Sequence, residues 1–445
     1  MRRTILPISA LLAATLVMYF SAGQQGILVP VRAGLEGFST LTVGFFGTAY
    51  AVGFVAGCYL VPWLLRRVGH IRTFSVMASL AATGILLKGV MVHPEVWLVL
   101  RMVAGMSIAG AAIIIESWLN ARSTNENRGT VFATYMVVYL GAVTGGQMSL
   151  MLFDPATVTM FVVSGVLLSL ALVPTALTLM PAPEPPERAE LHLKALYALS
   201  PVGAVGALVI GLANGAFGTL GPIYAQETGF DTTGIAIFMS VALLAGAIAQ
   251  WPLGRLSDLM DRRIVIASVS FVGMAAGVLL VLFLAPGPPA YLLITVFGVA
   301  AYSLYGLTVA HANDHADPSQ FVAVSGGLLL MFGIGSALGP MAAAGLSELV
   351  TSRGLFMFTA AAHLALAAFV VYRIGQRPAV PAAQKDDFVG FARPTSPGAA
   401  TLDPRFDEEA PVPEVPAGEA MSYVAAEPGD DTPGGPSDGP GPERD

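Results

Sequence analysis

Gly254-Arg-Leu-Ser-Asp-Leu-Met-Asp-Arg-Arg263 gathers two acids and three arginines within ten positions, between apolar runs on both sides. It has a counterpart 192 positions earlier, where Asp258 falls on Arg66 within Leu64-Leu-Arg-Arg-Val-Gly-His-Ile-Arg72. The same shift lays Gly333 on Gly141. A chain that repeats at half its folded length, with a short charged loop at the matching place in each half, points to two helical bundles from a duplicated unit.

Composition identifies the solvent of those bundles. Of 445 residues 55% are hydrophobic and only 11% charged, and the mean hydropathy is +0.71. A water-soluble domain of that composition would expose large apolar patches, so the expected surroundings are a lipid bilayer. The single cysteine, Cys58, excludes a disulfide framework and a cysteine metal site. The net charge of −7 is regional: residues 375–445 hold 5 Lys/Arg against 14 Asp/Glu, and the remainder 17 against 15. The low isoelectric point therefore belongs to the tail, and no basic face suggests nucleic acid.

Apolar runs of the length a helix needs to cross a bilayer, roughly 20 residues, are expected twelve times. They lie near residues 5–31, 41–65, 71–92, 96–119, 130–152 and 158–180, then 198–225, 234–253, 264–285, 291–312, 322–346 and 355–374. The domain reading is a first six-helix bundle over 1–180, a proline-rich cytoplasmic linker over 181–197, a second bundle over 198–375 and a disordered acidic cytoplasmic tail over 376–445. The tail holds 13 prolines after Arg377, too few apolar groups to offset the entropy of ordering. The first run is longer than a usual signal-peptide core and is expected to be retained as a span. With the N-terminus inside, fourteen Lys/Arg fall in cytoplasmic loops and only Arg32 and Arg353 in outer ones, which sets both termini in the cytoplasm.

Twelve spans in two sixes, a central linker and charged loops after the second and eighth spans resemble the major facilitator superfamily over residues 5–375. Its loop pattern is Gly-x-Leu-x-Asp-Arg-x-Gly-Arg-Arg. The second copy keeps Gly254, Leu256, Asp258, Arg262 and Arg263; the first keeps Arg67 and Gly69 but has Pro62 for the first glycine and Arg66 for the acid. Arg101-Met-Val-Ala-Gly105 is similar to the fourth-helix pattern Arg-x-x-x-Gly. Gly141-Ala-Val-Thr-Gly-Gly146 is similar to the fifth-helix antiporter pattern, with Ala142 in place of proline. Glu116-Ser-Trp-Leu-Asn120, Asn127-Arg-Gly129, Ala310-His-Ala-Asn-Asp314 and Gly339-Pro340 resemble the YcaD-like branch of bacterial transporters. The resemblance implies an all-α membrane protein of twelve transmembrane helices in two pseudo-symmetric six-helix bundles, multi-pass in a bacterial inner membrane.

Transporters of this architecture bind substrate at mid-depth between the halves. Asn214 sits midway along the seventh run, where an amide needs a cavity or a helix partner. Tyr302 and Tyr305, three apart in the tenth run, share a face and suit substrate contact or packing. Gln24 and Gln25 point about 100° apart, so one of them should face inward. Arg101 and Glu116 are intramembrane charges about 22 Å apart along one helix and are candidates for proton coupling or gating. Glu116 is the first choice for the proton, against the plainer reading of a helix-end anchor. Lys88 is expected to snorkel to the interface. His311, Asp314 and His315 have a ligand-like spacing, yet Ala312 stands where a zinc-protease helix needs glutamate; gating or plain helix termination is preferred to metal for His311 and Asp314. Gly333-Ile-Gly-Ser-Ala-Leu-Gly339 misses the dinucleotide spacing, so no cofactor is expected. Arg66, Arg67, Gly69, Gly254, Asp258 and Arg262 are read as a conformational latch, dependent chiefly on Asp258.

The expected function is secondary active, proton-coupled transport of a small organic molecule, with export favoured over the alternative of import. A transporter-shaped sensor signalling through its tail is the remote alternative, and enzymatic activity is not expected.

Overall fold

The computed structural model describes residues 8–124, 126–176, 193–283, 285–317 and 320–381, with 385, 388 and 390. The extreme N-terminus, most of the expected linker and most of the expected acidic tail lie outside the described residues. The first half comprises α1 (Ser9–Leu35), α2 (Thr40–Val68), α3 (His70–Val90), α4 (Pro94–Ala121), α5 (Arg128–Met148), α6 (Thr159–Leu170) and the short α7 (Leu172–Ala176). The second comprises α8 (Leu193–Leu199), α9 (Pro201–Glu227), α10 (Thr232–Leu259), α11 (Arg262–Leu282), α12 (Pro288–Asn313), α13 (Phe321–Val350) and α14 (Arg353–Ile374).

Eleven of these helices are long and apolar enough to cross a membrane. The sixth expected run is the exception. It is shorter in the described residues, where α6 continues into α7, and its end lies beyond them. Leu193–Leu199, which begins within the expected linker and ends just past it, is a helix whose Leu196 packs over Gly327. Ile248, Trp251, Leu259, Leu282 and Leu349 are all well exposed on the outside of the bundle, where a bilayer would solvate them.

The duplication is visible in the helix bounds. Ser9–Leu35, Thr40–Val68 and His70–Val90 recur 192 positions later as Pro201–Glu227, Thr232–Leu259 and Arg262–Leu282. One pair of intrahelical prolines also corresponds, Pro30 in α1 with Pro222 in α9. Ends are set locally. Ser39 Oγ accepts from Thr42 N at 3.1 Å, Asp231 Oδ1 from Gly234 N at 2.7 Å and Ser200 Oγ from Gly203 N at 3.1 Å.

Helices meet through glycine. Gly53 and Gly105 let α2 and α4 cross with backbone against backbone, and Gly246 and Gly298 do the same for α10 and α12 in the other half. Without a hydrophobic force between helices in lipid, such close approach supplies the packing. Gly211 and Gly215 face α13, whose Gly335 and Gly339 face α9, while Gly218 opens onto a cavity.

Between the halves, α2 packs on α13 and α5 on α10, a pair of contacts that the 192-residue repeat interchanges. Among the described residues, three hydrogen bonds that join the halves lie toward the end opposite the charged loops. Glu348 Oε1 accepts from Leu41 N at 3.2 Å, Thr48 Oγ1 donates to Ala337 O at 2.6 Å and Ser240 Oγ to Gln147 Oε1 at 3.1 Å.

Candidate functional site

A cavity of about 360 Å³ opens between the two halves. The first half contributes Tyr19 and Gln25 from α1, Tyr50 from α2, Arg101 from α4, and Tyr139 and Gln147 from α5. The second contributes Asn214 and Thr219 from α9, Tyr302 and Tyr305 from α12 and Ser336 from α13. Five tyrosines, a few amides and hydroxyls and one guanidinium make a mostly apolar chamber with sparse polar groups, the usual composition of a small-molecule site.

Of the residues expected to touch substrate, Gln25, Asn214, Tyr302 and Tyr305 line this cavity, and Arg101 lines it with them. Gln24 points away from it and accepts from Ser164 on α6. Asn214 combines the two roles its position allowed. Its Nδ2 donates to Ala301 O at 2.8 Å across to α12, while its buried Oδ1 has no partner. Lys88 departs from the snorkelling expectation: it is 0% exposed, and its Nζ donates to Gln25 Oε1 at 3.3 Å. A polar partner within reach on α1 draws the amine inward, which one helix's sequence cannot reveal. Tyr19, Tyr50, Tyr139 and Gln147 escaped notice, although the signal used for Asn214, a polar group well inside an apolar run, applies to each.

Glu116 lies elsewhere, near the loop end of α4, 0% exposed and accepting from Tyr135 Oη of α5 at 2.9 Å. His311 and Asp314 sit at the loop end of α12. Arg262 joins that end to the α10–α11 turn: its Nε donates to Asp314 Oδ2 at 2.7 Å, and its Nη1 to Asp258 Oδ1 and Ser257 Oγ, both at 2.8 Å. Burial pushes the Asp314 carboxyl up, only partly offset by the bond from Arg262. Burial also raises Asp261, but the hydrogen bonds from Arg263 outweigh it and hold that carboxyl below its ordinary value. The rings of His311 and His315 are 4.7 Å apart. Among the described residues no group of three or more His, Cys, Asp and Glu is arranged to hold a metal ion.

The first-half counterpart is built differently. Gly69 occupies φ +82°, a conformation that favours glycine, where the second half uses Asp261 as a helix cap. His70, at the position of Arg262, bonds Ser117 Oγ at 3.1 Å, and Arg67 lies over the Trp63 ring at 5.5 Å. The structure thus brings Asp258, Arg262 and Asp314 together, whereas Arg66 and Arg67 stand apart from them. Gly254 is covered by the ring of Phe388.

A duplicated helical bundle around a cavity shared by its halves is the architecture of a membrane transport protein. Comparison with known proteins narrows the class. A family model described as Major Facilitator Superfamily matches residues 203–406. The chain is 28% identical over 380 residues to a Salmonella typhi protein named as an uncharacterized MFS-type transporter, YcaD, covering 84% of this chain and 97% of that one. It is 28% identical over 362 residues to the protein of that name from Escherichia fergusonii, covering 80% and 92%. Among solved structures, the nucleoside transporter NupG superposes with a TM-score of 0.67 at 13% identity, covering 82% of this chain and 98% of that one. A bacterial homologue of the human lysosomal transporter Spinster, inward-facing and occupied, gives 0.68 at 14% identity, covering 85% and 97%. At those identities the two structures speak for the fold alone. The chain is thus similar to multi-pass transporters of the major facilitator superfamily, the YcaD proteins among them.

Proposed function

We propose that the protein is a proton-coupled secondary transporter that carries a small organic molecule through the cavity between its halves by rocking one bundle on the other. The observation that carries this reading is the shared wall: Gln25 and Arg101 on one side face Asn214, Tyr302 and Tyr305 on the other. A ligand touching both halves can favour one arrangement over another, which alternating access requires. The bundle boundaries, residues 1–180 and 198–375, and the linker between them form part of the same proposal. So does the orientation with both termini in the cytoplasm of a bacterium's inner membrane. In that orientation the Leu41–Glu348, Thr48–Ala337 and Ser240–Gln147 hydrogen bonds are external, which supports an inward-facing arrangement.

Glu116 is the proposed proton carrier, since a carboxylate buried in one state and hydrated in another changes its proton affinity between them. Arg101 and His311 serve gating in this scheme. The Asp258–Arg262–Asp314 cluster acts as a latch for the loop ends of α10, α11 and α12. The glycine pattern of α5 favours export over import. The test begins with a thermal-shift screen of purified protein against a metabolite and drug library, because a ligand preferring the folded state raises its apparent stability. Hits are then followed in proteoliposomes as counterflow and as flux under an imposed pH gradient. Counterflow without any response to that gradient would remove the proton from the scheme; a ligand that binds and never crosses would remove transport.

A further inference from the structure

Among the described residues the cavity is lined by one cation, Arg101, and by no acid. Arg101 is only 7% exposed and stands about 10 Å along the axis from the start of α4. Its guanidinium lies over the face of Tyr50, 4.8 Å from the ring centroid, and its buried Nε has no hydrogen-bond partner. No aspartate or glutamate lines the cavity among the described residues. Glu116, the acid on the same helix, is about 22 Å away along the axis. An amine lies close by. Lys88 on α3 is wholly buried, within electrostatic reach of Arg101, and bonded to Gln25, which itself lines the cavity.

A guanidinium withdrawn from water without an acceptor is unfavourable by desolvation. The face of a tyrosine offsets part of this for Arg101, not the whole. What restores the balance is a negative charge, and the cavity is where it can enter. A guanidinium presents a planar fork of N–H donors that matches a carboxylate or phosphate in bidentate fashion. Around that fork stand flat aromatic walls, and across from it, on the other half, Asn214 offers an unpaired Oδ1 acceptor.

We propose that the transported species is an amphipathic organic anion. Its carboxylate or phosphate sits on Arg101, its flat apolar body among the tyrosines, and a hydroxyl or N–H at its far end donates to Asn214. This rests on the reading of the cavity as the transport site. It also assigns Arg101 to substrate binding rather than to gating alone. Because the anion would be held by the first half and its far end by the second, its length selects the arrangement of the halves in which both ends are satisfied.

The experiment compares matched ligands on purified full-length protein by thermal shift and titration calorimetry: 4-hydroxybenzoate and 4-hydroxyphenyl phosphate as anions, 4-hydroxybenzamide as the neutral isostere, and tyramine as the cation. The anions are expected to stabilise the protein and the amide and amine not to. The carboxylate and phosphate arms identify which head group is preferred. Arg101→Gln is expected to weaken anion binding roughly 30-fold or more, and Arg101→Lys to retain part of it. Without ligand, Arg101→Gln should leave the melting temperature unchanged or raised, since it removes an uncompensated buried charge. A structural arginine would give a lower one. Stabilisation by the amide or amine but not the anions, no stabilisation by either anion, or a destabilised ligand-free Arg101→Gln protein each overturns the proposal. Counterflow of labelled 4-hydroxybenzoate separates this from the transport reading. Arg101-dependent binding without counterflow sinks transport and leaves the anion site, while counterflow of a neutral hit alone does the reverse.

Discussion

Arg262 donates from Nε to Asp314 Oδ2 at 2.7 Å, and both side chains are 1% exposed. The pair ties the start of α11 to the end of α12, and the same guanidinium reaches Asp258 at the end of α10. Removing one partner of a buried pair leaves the other charged and unsolvated, at a cost of about 3–5 kcal/mol. Arg262→Gln is therefore expected to lower the melting temperature strongly, and Arg262→Gln with Asp314→Asn to recover much of the loss. A double variant no better than the single one would show that Arg262 acts through packing.

The same pair sets a pH dependence. Asp314 is raised above its ordinary value by burial, with Arg262 pulling the other way and His315 and Lys385 helping it. A carboxyl raised on folding contributes stability below its unfolded value and loses it as pH rises through the folded value. Without Arg262 the folded value climbs further. The stability deficit of Arg262→Gln should thus be larger at pH 7 than at pH 5, read as melting temperature across that range. A deficit independent of pH would exclude Asp314 as the stranded charge.

Asp258 is the more exposed acid, at 20%, so Asp258→Asn should cost less stability than Asp314→Asn. Its expected effect is on turnover: slower counterflow with unchanged ligand affinity. Normal transport by Asp258→Asn would contradict the latch.

Much of this fold could be read from the chain because duplication and hydrophobicity are written residue by residue. The 192-residue shift that matched Asp258 to Arg66 is the shift that relates the helix bounds. Side-chain direction was less legible. Gln24 and Gln25 diverge as adjacent helical positions must, but which of them meets the cavity depends on where α6 and its Ser164 pack. Lys88 turned inward for a partner on another helix, and the contact of Tyr135 with Glu116 is likewise a pairing of α5 with α4. Such pairings are tertiary facts, invisible to a period or a motif.

Glu116 is wholly buried and accepts from Tyr135 Oη. Glu116→Gln keeps the shape and the acceptor while removing the titrating group. The expected result is loss of flux driven by a pH gradient with equilibrium exchange of substrate retained. Tyr135→Phe should shift the pH dependence of driven flux rather than abolish it. Driven flux unchanged in Glu116→Gln would end the assignment.

Backbone contact at the helix crossings makes another test. A Cβ at Gly298 would overlap the backbone of Ala242, which no rotamer change can relieve. Gly298→Val should destabilise by about 1–3 kcal/mol or more. The comparison is Gly218→Val, where a Cβ meets nothing within 4 Å and the residue lines the cavity. That variant should fold normally and lose ligand affinity. Equal melting temperatures for the two would contradict the packing described for α10 and α12.

The last test concerns the chain beyond α14. Lys385 Nζ donates to Met260 O at 2.5 Å, the Phe388 amide donates to Asp258 Oδ2 at 3.2 Å, and the Phe388 ring covers Gly254. These residues therefore touch the stretch that includes the latch acid. Removing residues 391–445 spares these contacts and should leave counterflow in proteoliposomes intact, since the cavity and the buried charges all lie before it. Removing 378–445 deletes them, and the loss of one hydrogen bond to a charged group, about 1.5–3 kcal/mol, should appear as a lower melting temperature and altered turnover. Abolished transport in the shorter deletion would instead make the acidic tail part of the output, as a sensor requires. Identical behaviour of the two deletions would mean that the Phe388 contact with Asp258 does nothing for the latch.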